Sequence, residues 1–69
     1  MEPNGVYRHY KGNVYRVLAV AKHSETLEVL VVYQDVGCPE KVWARPKAMW
    51  EETVEVNGKA VRRFERVGD

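Results

Sequence analysis

The apolar positions come in short runs rich in Val, Tyr and Leu, separated by Gly, Pro, Asn and charged residues, and no stretch keeps helical spacing for more than one turn. The pattern predicts an all-β chain. A first strand is expected over Gly5 to Tyr10, closed by Lys11-Gly12-Asn13, where Gly12 can take the positive φ that other residues resist. A second strand covers Val14 to Lys22. Its two alternating sets, Val14/Arg16/Leu18/Val20 and Tyr15/Val17/Ala19/Ala21, are both largely apolar, which places it centrally, covered on two sides or curled around a core. His23-Ser24-Glu25-Thr26 reads as a polar hairpin loop, and Leu27 to Asp35 as the returning third strand, with Leu27, Val29, Val31 and Tyr33 on one face.

Gly37 and Pro39 cannot comfortably continue a ladder, so Val36 to Lys41 is the longest expected loop. Val42 to Arg45 is a short fourth strand. Pro46 lacks an amide donor but suits the first position of a helix, so Pro46 to Trp50 is expected to form one helical turn. Thr53 to Val56 and Ala60 to Val67 flank Asn57-Gly58, the dipeptide most typical of a two-residue type I′ hairpin. The tail Gly68-Asp69 should fray. These elements predict a single domain over residues 1–69 with an ordered core of about 5–67. The expected architecture is a small SH3-like barrel of five to six short antiparallel strands with one short helical turn, because closure removes exposed strand edges. The competing arrangement is an open antiparallel sheet that dimerises through its uncovered face.

Composition narrows the functional classes. A chain of 69 residues that is 45% hydrophobic and 30% charged has room for one small core and lies outside the signature of disorder. Eleven Lys and Arg against ten Asp and Glu leave a formal charge of +1, so no global basic field draws the protein to nucleic acid or anionic lipid. Any basic surface must be local. The longest apolar runs, such as Val17 to Ala21 and Val29 to Tyr33, are five residues each, against the roughly 20 that span a bilayer. The opening residues lack the basic-then-apolar order of a secretory leader. Cys38 is the only cysteine and cannot form an internal disulfide. A cytoplasmic location is therefore expected.

The charges are unevenly spread. Residues 1–23 set Arg8, Lys11, Arg16 and Lys22 against Glu2, and residues 56–69 set Lys59, Arg62, Arg63 and Arg66 against Glu65 and Asp69, while carboxylates dominate the middle. If the first strand lies beside the last, Arg8, Lys11, Arg62 and Arg66 converge beside Tyr7, His9 and Tyr10. Such a patch suits phosphate or a single nucleic-acid strand, with the rings as stacking platforms. The plainer reading is that these charges pair across strands and fix the register.

Signals for catalysis are weak. No Gly-rich phosphate loop, Gly-x-Ser-x-Gly elbow or His-Glu-x-x-His helix is present. The adjacent Glu51 and Glu52 would point to opposite faces of a strand. Cys38, between Gly37 and Pro39, reads as a spectator thiol. His9, His23, Glu25 and Cys38 lack the short spacings of zinc sites, so neither metal nor cofactor is expected. Two further features draw interest. The His23 to Thr26 loop gathers an imidazole, two hydroxyls and a carboxylate, although the preferred reading is a turn with Ser24 or Thr26 bonded to the backbone and Glu25 in solvent. Trp43 and Arg45, two apart on a strand, share a face and could form a cation–π shelf, but the preferred reading makes Trp43 a core anchor with Arg45 folded over it.

Taken together, Gly5-Val6-Tyr7-Arg8-His9-Tyr10-Lys11-Gly12, Tyr15, Ala21-Lys22-His23-Ser24-Glu25-Thr26, Val31-Val32-Tyr33, Trp43 with Arg45-Pro46, and Arg63-Phe64 resemble the small bacterial family called domain of unknown function 1653. The resemblance runs from about Gly5 to Phe64. It implies a module found alone or beside other domains, which suits binding better than self-contained catalysis. It also makes the first strand, the His-Ser-Glu-Thr loop and the Trp-x-Arg-Pro segment the natural site candidates. Around Val36 to Lys41 the chain departs from the glycine and acidic run expected before the Trp.

The expectation is thus a binding module whose surface is formed by Arg8, His9, Lys11, His23, Glu25, Trp43 and Arg45. Its first-choice ligand is a phosphate-bearing molecule or nucleic acid. A protein partner or a second copy is the alternative, and no membrane role is expected. A small hydrolytic or metal-assisted enzyme would require His9, His23 and Glu25 to meet within hydrogen-bond reach.

Overall fold

The computed structural model describes residues 4–68 and arranges them as seven short strands and one helical turn. Strand β1 (Val6–His9) turns through residues 10–13 into β2 (Val14–Lys22), and β3 (Val29–Asp35) and β4 (Val42–Pro46) follow. The helical turn α1 (Lys47–Trp50) leads to the hairpin of β5 (Thr53–Val56) and β6 (Lys59–Arg62), and β7 (Phe64–Gly68) ends the described chain. The mainly-β expectation is met. Among the described residues no helix is long and apolar enough to cross a membrane.

Five strands form one antiparallel sheet in the order β4-β3-β2-β1-β7, and β5 and β6 form a separate two-stranded sheet. The sheets do not close on each other, so the expected barrel is not confirmed. Its physical cause lies at Arg63. The expected strand from Ala60 to Val67 breaks there into β6, which pairs only with β5, and β7, which pairs with β1. Arg63 joins the two sheets through single backbone bonds, donating its amide to the Glu52 carbonyl at 2.9 Å and accepting the Tyr10 amide at 2.9 Å.

Strand β2 is central, as its sequence requires, but it is not covered on both sides. A bulge between Val17 and Ala19 shifts the register, leaving Val17 fully buried and Leu18 and Val20 partly exposed. Leu27 is not in a strand. It holds a left-handed φ of 64°, and its amide bonds back to the His23 carbonyl, which delays β3 until Val29. Gly68 is the last residue of β7, in register with Val6, rather than part of a loose tail; Asp69 and Glu2 lie outside the described residues.

The core is aromatic: Tyr7, Tyr33, Trp50 and Phe64 are buried with Val17 and Val31, and Tyr15 packs against them. Edge-on contacts join Tyr7 and Tyr33 to Trp50 with centroids 5.5 and 4.9 Å apart. Such pairs add about 0.5–1.5 kcal/mol each beyond the area they bury. Trp43 does not anchor this core. It stands on edge strand β4, 49% exposed, and Trp50 on the helical turn takes the anchoring place at 2%.

Candidate functional site

The two-residue spacing of Asn57-Gly58 sets the first wall of the site. Their φ values of 51° and 79° are those of the expected tight hairpin, and the turn returns β6 so that Arg62 and Val61 stand in register with Thr53 and Val54. The second wall is the β1–β2 turn. There His9 donates its amide to the Asn13 carbonyl, Gly12 donates to the His9 carbonyl, both at 2.7 Å, and Gly12 adopts a φ of 108°. The Tyr10 bond to Arg63 pins this turn beside the hairpin.

Strand β7 supplies the floor. It pairs antiparallel with β1, setting Arg8 opposite Glu65, His9 opposite Phe64 and Tyr7 opposite Arg66. The opening and closing strands are therefore neighbours. Between them and the hairpin lies a groove of about 420 Å³. Arg8, Lys11 and Arg62 bring three cations to it from β1, the turn and β6. Val56 and Val61 supply an apolar side, and Tyr10 and His9 line it with Glu65.

Two of the three cations, Arg8 and Lys11, are held loosely. Arg8 Nη2 lies 3.4 Å from Glu65 Oε1 with the side chains 53% and 67% exposed, so the pair is worth no more than about 1 kcal/mol. Lys11 Nζ sits 5.8 Å from the Tyr10 ring centroid. The Lys11 amide donates to His9 Nδ1 at 3.2 Å. His9 also contacts the Tyr10 and Phe64 rings, with centroids 4.6 and 5.0 Å away. Burial, and then the positive charges of Arg45, Arg63 and Lys11, hold its pKa below the ordinary 6.5.

The structure divides the seven sequence-derived candidates. Arg8, His9 and Lys11 share the groove. Arg45 approaches His9 from the other side of the sheet order, with its guanidinium 5.5 Å from the Phe64 ring and its Nε donating to the Tyr33 hydroxyl at 3.3 Å. It stacks on Phe64 instead of Trp43. Trp43 faces solvent beside Tyr33 in register. His23 and Glu25 lie beyond the far end of β2, whose nine residues separate them from the β1–β2 turn by roughly 30 Å of strand. In that loop His23 Nδ1 accepts the Glu25 and Thr26 amides at 3.1 and 3.3 Å, and Thr26 Oγ1 accepts the Glu28 amide at 3.2 Å. The imidazole builds the turn. His9, His23 and Glu25 do not meet, so the trio required by the enzymatic alternative forms no site.

Among the described residues no three of His, Cys, Asp and Glu cluster as a metal site. Val56, Val61 and Glu65 line the groove without having been singled out in the sequence. The Asn57-Gly58 hairpin was the available signal for the two valines, and cross-strand pairing with Arg8 for Glu65.

Comparison with known proteins bears on the fold. A crystal structure of a DUF1653 protein from Bordetella bronchiseptica is similar, with a TM-score of 0.84 and 42% identity, covering 99% of this chain and 88% of that one. Among curated proteins none matches. The family described as "Protein of unknown function (DUF1653)" matches residues 5–66, and the chain belongs to that family.

Proposed function

We propose that the protein is a binding module that holds a phosphate-bearing ligand, and specifically single-stranded nucleic acid, in the groove between the β1–β2 turn and the β5–β6 hairpin. The observation that carries this reading is the convergence of Arg8, Lys11 and Arg62 around the Tyr10 ring and the Val56/Val61 side. Arg8 and Lys11 can exchange their loose contacts for phosphate oxygens at little cost, and Arg62 adds a third positive charge. An exposed ring beside them offers a surface on which a base can stack, worth roughly 1–3 kcal/mol per base where such contacts have been removed. A duplex is a poor fit, since its bases are already stacked and present no free ring face to Tyr10.

Amide shifts recorded while a short single strand is added test this reading. Changes confined to residues 8–12, 56 and 61–65 support it. Changes centred on the 23–26 loop, or no change at all, overturn it. A second reading, a protein-interaction module, is favoured by the half-exposed Val42 and Trp43 on edge strand β4; changes confined to residues 42–45 on adding a protein partner would support it.

A further inference from the structure

We infer, resting on the nucleic-acid reading, that Glu65 makes the groove selective for a guanine nucleotide. A carboxylate is out of place in a site for phosphate alone, because it repels the anion that Arg8, Lys11 and Arg62 attract. Yet Glu65 stands in the same groove, in register with Arg8 on the neighbouring strand. Its contact with Arg8 does not account for it. At 3.4 Å, with 53% and 67% of the two side chains exposed, the pair contributes little and leaves the carboxylate with acceptor capacity to spare.

The groove therefore presents three chemistries together: cations, an apolar and aromatic side of Val56, Val61 and Tyr10, and one acceptor-only group. A ligand that satisfies all three carries a phosphate, a flat ring and N–H donors on the ring edge. Nucleotides do so, and their bases differ at that edge. Guanine offers two adjacent donors, N1–H and the exocyclic amino group, matching the two oxygens of a carboxylate. Adenine and cytosine offer one amino group. Thymine and uracil flank their single N–H with two carbonyl oxygens, which the carboxylate repels. In a single strand this edge is free to be read.

Fluorescence anisotropy at one low salt concentration tests the assignment with an eight-nucleotide thymidine strand, an alternating thymidine–guanosine strand of the same length, and the Glu65→Gln variant. The wild type should bind the guanine-containing strand roughly tenfold more tightly, the size of a good bidentate contact. Glu65→Gln should bind the thymidine strand at least as tightly as the wild type and show no preference between the two. Equal wild-type binding to both strands, or a preference that survives in Glu65→Gln, overturns the assignment while the groove reading stands. Binding of neither strand overturns the groove reading itself. Guanosine monophosphate should displace the bound strand better than thymidine monophosphate if a free nucleotide meets the same contacts; equal displacement counts against selectivity.

Discussion

Phe64 lies flat on Trp50, with ring centroids 3.6 Å apart and planes within 2° of parallel. This stack ties the first residue of β7 to the last residue of the helical turn, so the two parts of the chain that flank the hairpin are held together. The groove's floor and its far wall are both anchored by it.

Phe64→Ala should therefore cost about 3–5 kcal/mol, as large-to-small aromatic changes in cores do. A chain of this length has about 3–10 kcal/mol of total stability, so the variant should lose at least about a third of it. Phe64→Leu keeps most of the volume and loses the stack, and should cost about 1–2 kcal/mol. Urea unfolding monitored by tryptophan fluorescence measures both. A Phe64→Ala protein with an unchanged midpoint would show that the stack contributes nothing.

Leu27 holds a left-handed backbone while 67% exposed, so strain is set against little burial. That conformation costs a residue with a side chain about 1–2 kcal/mol. Asn tolerates it far better, and Leu27→Asn should raise stability by about 0.5–1 kcal/mol, seen as a rise of a few degrees in Tm. A lowered Tm would mean that the Leu27 side chain contributes more than its exposure implies.

Much of the fold could be read from residue types whose backbone demands are local. Gly12 and Asn57-Gly58 marked two turns and β2 was central; Pro46 marked the helical turn one residue early, since it ends β4 with an extended ψ of 134° and the turn starts at Lys47. If the first strand lay beside the last, Arg8, Lys11, Arg62 and Arg66 were expected to converge; the two strands do pair, and the groove gathers the first three while Arg66 stands opposite Tyr7 and does not line it. What could not be read depended on contacts between distant segments. Arg63 splits a run that looks continuous because its amide is drawn to Glu52 and its carbonyl to Tyr10. Trp43 and Trp50 are alike in sequence terms, and only packing against Tyr33 and Phe64 selects Trp50 for the core. The His23 loop looked rich in chemistry, but its imidazole is committed to backbone amides.

His9 makes the protein's acid response specific. Because burial and the charges of Arg45, Arg63 and Lys11 lower its pKa, the unfolded chain takes up the proton more readily than the folded one. The resulting stability is present above the unfolded value near 6.5 and is lost as pH falls through the folded pKa. The His9 ring signal in an NMR titration should have its midpoint below 6.5. His9→Asn, which keeps an acceptor for the Lys11 amide, should flatten the loss of stability in that window. A midpoint above 6.5 would contradict the cationic surroundings described here.

The central claim is that three cations from two distant parts of the chain act as one anion site. Its most direct test is the salt dependence of single-strand binding. With Arg8, Lys11 and Arg62 each neutralising one phosphate, the logarithm of the binding constant should fall against the logarithm of salt with a slope of about −2, and Arg62→Ala should reduce that slope to about −1.4. A flat dependence, or a slope that Arg62→Ala leaves unchanged, would contradict the account.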